Sequence, residues 1–198
     1  MTVDLSTSVT GIAFRSPVLT ASGTFGYGLE LRDHTPPQAI GGVVTKGISP
    51  HPRAGNPPPR ICETAAGMLN SIGLENVGLQ AFARDKLPGL REAGVTVIVN
   101  FFGDTVEEYV ACGEALDALD GIHALELNIS CPNVVHGGMR FGTDPVLAGQ
   151  LVAACRAVVE RPLWVKLTPN VTDIVEVARA CVAEGADALT LINTLSGI

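Results

Sequence analysis

No stretch of this 198-residue chain approaches the roughly 18 consecutive apolar residues that a membrane-spanning helix requires. The opening MTVDLSTSVTG has no basic segment followed by an apolar one, so no secretory signal is read there, and a cytoplasmic protein is expected. Charge is sparse as well: 17% of positions are charged and the formal net charge is −7. Lys and Arg nowhere cluster among aromatics, which together make up only 5% of the chain. A phosphate-backbone partner is therefore not expected, and neither nucleic acid nor membrane is predicted as a partner.

The motif inventory is equally bare. There is no Walker A sequence, no GxSxG elbow and no HExxH, which argues against a P-loop ATPase, an α/β-hydrolase and a zinc protease. Gly23-Thr-Phe-Gly26-Tyr-Gly28 is not a dinucleotide-binding GxGxxG and reads as a flexible loop. The five cysteines form no CxxC pair, and their odd number argues against a disulfide framework. Cys112, Cys155 and Cys181 fall on apolar-periodic helical segments and read as small buried hydrophobes, while Cys62 is undecided. The four histidines have no chelating spacing, so no metal site is expected.

What the chain does have is apolar content, 46% of positions, organised as short runs rich in Val, Ile and Leu that alternate with amphipathic segments. Strands are predicted over 17–22, 42–46, 95–101, 123–129, 163–167 and 187–193, and helices around 78–92, 104–118, 144–160 and 172–184. Asp104, Asp144 and Thr172 are the expected helix caps. Residues 49–78 are rich in Pro and Gly and read as a long insertion after the second strand. Parallel strands with crossover helices give an α/β fold, either an open doubly wound sheet or most of a (β/α)8 barrel; periodicity does not choose between them. No repeat, linker or second domain is found.

A polar set follows every predicted strand: Ala21, Ser22 and Gly23; Lys46 and Gly47; Asn100; Asn128 with Cys131 and Asn133; Lys166; Asn193 and Thr194. Each alone matches a strand-end lysine reaching solvent or an asparagine forming a turn. In a barrel all of them converge on one face, giving a mouth with two cations, several amides and a thiol. Such a mouth suits a planar ligand with many carbonyl and NH groups. Cys131 stands where a strand ends and a loop begins.

The segments SGTFGYG, TKGISPHPRAGNPPPR, MLNSIGLEN, NISCPNV with FGTDP, and VKLTPNVTDI, in that order, resemble class 1 dihydroorotate dehydrogenases, and FGTDP resembles the NAD-linked class 1B catalytic subunit. The resemblance covers essentially the whole chain. It implies a (β/α)8 TIM barrel, with roughly the first six βα units present, that binds FMN and oxidises dihydroorotate to orotate in de novo pyrimidine biosynthesis. Cys131 would then be the catalytic base that removes the C5 proton. Ser22, Lys46, Gly47, Asn100, Asn128, Lys166 and Ile192 would contact FMN. Lys46, Asn70, Ser71, Ile72, Gly73, Leu74, Asn128, Asn133, Asn193 and Thr194 would hold the substrate, and the loop from Pro132 to Phe141 would act as a lid.

Class 1B membership further implies an electron-transfer subunit carrying FAD and a [2Fe-2S] cluster, with a homodimer of barrels inside a heterotetramer. A complete barrel needs about 250 residues. The expectation is therefore one FMN-binding barrel domain over 1–198 whose carboxyl-terminal part is missing, with flavin binding by the isolated chain weak or absent. Three other readings stay open: a dihydropyrimidine dehydrogenase-type flavin barrel acting on uracil, a phosphate-binding barrel lyase or isomerase without flavin, and an inactive chain that serves as a binding or assembly partner.

Overall fold

The computed structural model describes residues 3–130 and 141–195. At its centre lie five parallel strands, β3 (Val43–Val44), β6 (Val97–Phe101), β7 (Ala124–Asn128), β8 (Leu163–Lys166) and β9 (Ala188–Thr190). They neighbour one another in chain order, β3-β6-β7-β8-β9, with every pair parallel. Nowhere does the order reverse, as it would in a doubly wound sheet. The chain forms part of a (β/α)8 barrel.

Helices fill the crossovers: α1 (Gly78–Ala81) and α2 (Leu87–Glu92), α3 (Val106–Asp117), α4 (Pro145–Arg156) and α5 (Ile174–Ala183). Asp144 caps α4 as expected, accepting from the Val146 and Leu147 amides. The other two caps fall one residue later than the sequence suggests. Thr105 caps α3 through the Glu108 amide, because the Asp104 carboxylate is taken by Arg53 at 2.6 Å. Asp173, rather than Thr172, caps α5. Each such cap is worth about 1 kcal/mol. The predicted helix over 78–92 is interrupted by a π-turn at Phe82–Lys86, where the Leu87 amide bonds back to the Phe82 carbonyl. Pro88 has no N–H to continue the α pattern, and the wider turn accommodates its ring.

Strand residues alternate between two apolar layers. Val43, Val97, Val99, Phe101, Leu125, Leu127, Leu163 and Val165 face the helices in the larger cluster, while Val44, Ile98, Ala124 and Trp164 form a second cluster on the opposite, inner face. A hairpin of β1 (Thr7–Val9) and β2 (Ile12–Phe14), unread in the sequence, supports this inner layer: the Phe14 ring lies 6.3 Å from that of Trp164, whose Nε1 donates to Thr10 Oγ1. The predicted strand over 17–22 makes only a single bridge, Leu19 to Gly42. Thr20 Oγ1, not a backbone carbonyl, accepts from the Val44 amide, and that side-chain bond ends the ladder.

Three further expectations need comment. The 49–78 segment contains an exposed hairpin, β4 (Ile61–Thr64) with β5 (Gly67–Asn70), rather than being irregular throughout. The glycine-rich loop read as flexible is pinned. Tyr27 is buried with its hydroxyl accepting from the Val77 amide, and Gly28, at φ +112, sits where a Cβ would lie 2.8 Å from Val43 Cγ1. Cys112, Cys155 and Cys181 are fully buried, as read, and Cys62 is exposed. No helix among the described residues is long and apolar enough to cross a membrane.

Candidate functional site

Because all five strands are parallel, their carboxyl ends share one edge of the sheet. On the inner face the alternation that places Ile98, Ala124 and Trp164 in the lower apolar layer brings Asn100, Glu126, Asn128, Lys166 and Thr190 above it. Register pairs Asn100 with Glu126, Asn128 with Lys166, and Lys166 with Thr190. A polar layer therefore rests on an apolar floor, and Asn100, Glu126 and Lys166 are 0%, 1% and 6% exposed. Burying groups of this kind is costly unless they are paired.

Glu126 supplies much of that pairing. Its Oε1 accepts from Asn100 Nδ2 and its Oε2 from Thr190 Oγ1, both at 2.7 Å, so one carboxylate joins β6 to β9 across β8. Among the described residues Asn100 Oδ1, which is buried, has no hydrogen-bond partner. Gly47 lies beside it: a Cβ there would come within 2.9 Å of Asn100 Oδ1 and 3.0 Å of the Phe102 ring. A side chain at position 47 would fill the space over that free acceptor.

Around this layer the strand ends are held by their own neighbours. Asn128 Oδ1 accepts from the Ser130 amide, its carbonyl accepts from Tyr109 Oη at 2.8 Å, and Ser130 Oγ donates to the Lys166 carbonyl at 2.7 Å. The Lys46 amide bonds to the Gly26 carbonyl, and its ammonium lies 3.6 Å from Glu75 Oε2. Arg60 also binds Glu75, holding that carboxyl below its usual range, with Lys46 adding to the effect.

Glu75 ends the loop 70–75, where Gly73 and Leu74 both have positive φ. Gly73 is obligatory in practice, since a Cβ would meet the Asn56 amide nitrogen at 2.7 Å. The loop is tied down by Asn56, which bonds the Ser71 carbonyl and hydroxyl, and whose amide donates to the Ile72 carbonyl. Below it the buried Asn76 bonds the Ser49 amide and hydroxyl, the Leu74 carbonyl and the Gly78 amide.

Of the residues singled out from sequence, Lys46, Gly47, Asn100, Asn128 and Lys166 lie on or beside this inner layer, and Ser71 to Leu74 form the adjoining loop. Asn193 follows β9, its amide bonded to the Leu167 carbonyl, and the Thr194 carbonyl accepts from Asn170 Nδ2. Ser22 is half-buried in a turn closed by the Thr24 amide on the Ala21 carbonyl. Asn70 and Ile192 are exposed. Cys131, Asn133 and the loop ahead of Phe141 lie outside the described residues.

Sequence reasoning missed Glu126, Thr190, Asn76 and Tyr27. A signal for Glu126 was present: an acidic residue at the centre of HALELNI, sharing strand parity with Asn128, has to face the same interior. Asn76 and Tyr27 carry no such mark, because their partners are 27 and 50 residues away.

Comparison with known proteins identifies the family. The dihydroorotate dehydrogenase family model matches residues 4–198. Among curated proteins, the catalytic subunit of dihydroorotate dehydrogenase B (NAD(+)) from Pelobacter propionicus is 56% identical over 198 residues, covering 100% of this chain and 65% of its own length. The proteins of the same name from Geobacter sulfurreducens and Geotalea uraniireducens are each 57% identical over 195 residues, covering 98% of this chain. The chain thus spans about 65% of the length of the relatives it matches. With a matching model over nearly every residue and a parallel, singly wound sheet beneath it, this chain belongs to the dihydroorotate dehydrogenase family.

Proposed function

We propose that this chain is the FMN-binding barrel of a class 1B, NAD-linked dihydroorotate dehydrogenase, which oxidises (S)-dihydroorotate to orotate in de novo pyrimidine biosynthesis. The observation that carries the reading is the inner polar layer at the strand ends, with a buried acceptor, Asn100 Oδ1, that has no partner among the described residues. A flavin ring fits such a place. It brings an N–H for a free acceptor, it needs open space beside Gly47, and it benefits from a cation such as Lys166 close to its ring.

On this reading Ser22, Lys46, Gly47, Asn100, Asn128, Lys166 and Ile192 hold the FMN. Lys46, Asn70, Ser71, Ile72, Gly73, Leu74, Asn128, Asn133, Asn193 and Thr194 hold the pyrimidine ring and its carboxylate. The bound flavin supplies the acceptor for the C6 hydride. Cys131, as thiolate, removes the C5 proton, so that the C5–C6 double bond forms as both bonds to hydrogen break. An ordinary thiol is mostly protonated at neutral pH, so amide donors and cations near Cys131 would favour its working form there. The loop from Pro132 to Phe141 would exclude water during that step. Supporting this reading is the identity of 56% and 57%, over 198 and 195 residues, to relatives that are named as catalytic subunits of an NAD-linked enzyme.

The word subunit in those names supports a partner here as well. We assign it as an electron-transfer subunit carrying FAD and a [2Fe-2S] cluster, joined to a homodimer of barrels in the cytoplasm. The test is an anaerobic titration of the purified protein, at the full length of the relatives it matches, with FMN followed by dihydroorotate. Bleaching of bound flavin by dihydroorotate, and not by dihydrouracil, is expected. Bleaching by dihydrouracil alone would move the chain to the uracil-type flavin barrels, and a protein that takes up no flavin would end the proposal.

A further inference from the structure

Glu126 is a buried carboxylate that the proposed reaction does not use. It is 1% exposed, it makes no ion pair within 4 Å among the described residues, and its two oxygens accept from Asn100 Nδ2 and Thr190 Oγ1. An amide NH2 group only donates, so the oxygen facing it acts as an acceptor. Two donors on two oxygens are the arrangement that suits an ionised carboxylate. The positive charge nearest in register is Lys166, which is also buried, on the strand that Glu126 reaches across. A buried charge acts at short range through a medium of low effective dielectric, so its field is felt strongly by whatever binds over this layer.

We propose that Glu126 is an electrostatic positioning residue of the flavin site: it turns Asn100 so that Oδ1 faces the ligand, and its negative charge opposes Lys166 and keeps the bound flavin harder to reduce. The proposal rests on the reading of this site as a flavin site. Lys166 favours the electron-rich, reduced ring, and Glu126 limits that preference. The pair would thus set the potential of a flavin held over this layer, with Asn100 as the contact between Glu126 and the ligand.

The experiment is a redox titration of the FMN-loaded protein, comparing wild type with Glu126→Gln and Glu126→Asp. Gln has the same shape and removes the charge, while offering an oxygen to Asn100 and an NH2 to Thr190. Asp keeps the charge but is too short to hold both partners at 2.7 Å. Glu126→Gln is expected to raise the reduced-to-oxidised ratio at fixed potential about tenfold, which is about 30 mV for a two-electron couple. Glu126→Asp should stay within about threefold of wild type. Equal shifts in both variants, no shift in Glu126→Gln, or loss of flavin from both would reduce Glu126 to a structural role and overturn the proposal. A wild-type protein of the relatives' full length that binds no flavin would remove the functional reading and this inference together, whereas unaltered potentials in a flavin-loaded variant would remove the inference alone.

Discussion

Asn76 and Ser49 bind each other twice: the Ser49 amide donates to Asn76 Oδ1 at 3.2 Å and Asn76 Nδ2 donates to Ser49 Oγ at 2.8 Å. The same side chain also bonds the Leu74 carbonyl and the Gly78 amide, so one buried amide ties Ser49, in the segment after β3, to the loop 70–75 and to the start of α1. Asn76→Ala leaves several of these groups without partners. Removing one partner of a buried hydrogen bond costs about 1–3 kcal/mol, and this change should reach the upper end of that range as a lower urea midpoint. Because the loop loses its anchor, orotate affinity should fall as well, which isothermal titration would read.

Gly47→Ala tests the space beside Asn100. Gly47 has no positive φ, so alanine is tolerated by the backbone, but its Cβ would press on Asn100 Oδ1 and the Phe102 ring. FMN affinity should drop at least about tenfold, equivalent to about 1.4 kcal/mol, and because the Cβ crowds two buried side chains the melting temperature should fall as well. A variant that binds FMN as wild type does would show that the space is not used.

Cys131→Ser tests the assigned base. A positioned general base contributes about 10²- to 10⁴-fold, so the rate of flavin reduction by dihydroorotate near neutral pH should fall by that factor with FMN binding retained. Stopped-flow absorbance under anaerobic conditions would measure it.

Thiol reactivity should divide the described cysteines in two. Burial pushes the Cys112 and Cys155 thiols up to about 12 and that of Cys181 up to about 11. Alkylation follows the thiolate and access to it, so brief treatment with iodoacetamide at neutral pH should label Cys62 and spare these three. Peptide mass mapping would decide, and rapid labelling of Cys155 in the native protein would contradict the packing described here.

The same thiols make the fold sensitive to alkali. Each holds its proton to about 11 or 12 when folded but releases it near its ordinary value of 9 when unfolded. The folded state therefore binds more protons across that window. The associated stability is complete below about pH 9 and is lost as pH rises toward the folded values, by up to about 1.4 kcal/mol per pH unit for each thiol. Denaturant melts of wild type and Cys155→Ala between pH 8.5 and 10.5 should show a shallower decline in the variant.

The sequence by itself determined the chemistry available at each strand end and the approximate position of most strands and helices. Both are local properties. An apolar run such as VTVIVNF or LWVKL declares a buried parallel strand because both of its faces are covered, and Asp144 caps α4 with amides two and three residues away. The residues Lys46, Gly47, Asn100, Asn128 and Lys166 were legible for the same reason, since each stands in or just after a strand that its own neighbours announce.

Only the tertiary structure decided which strand lies beside which, and with that the choice between an open sheet and a barrel. Strand order depends on contacts between residues far apart in the chain, which no window of periodicity contains. Tertiary structure also reduced the segment 17–22 from strand to a single bridge at Leu19, where the neighbouring Thr20 hydroxyl takes a bond that the ladder would use, and brought Tyr27 to the Val77 amide and Asn76 under the loop 70–75. It likewise left Asn100 Oδ1 without a partner among the described residues, because the Glu126 carboxylate, on the next strand, accepts from the other end of the same amide. Which end of an amide faces a site is set by the partner across the sheet, and that partner is chosen by register.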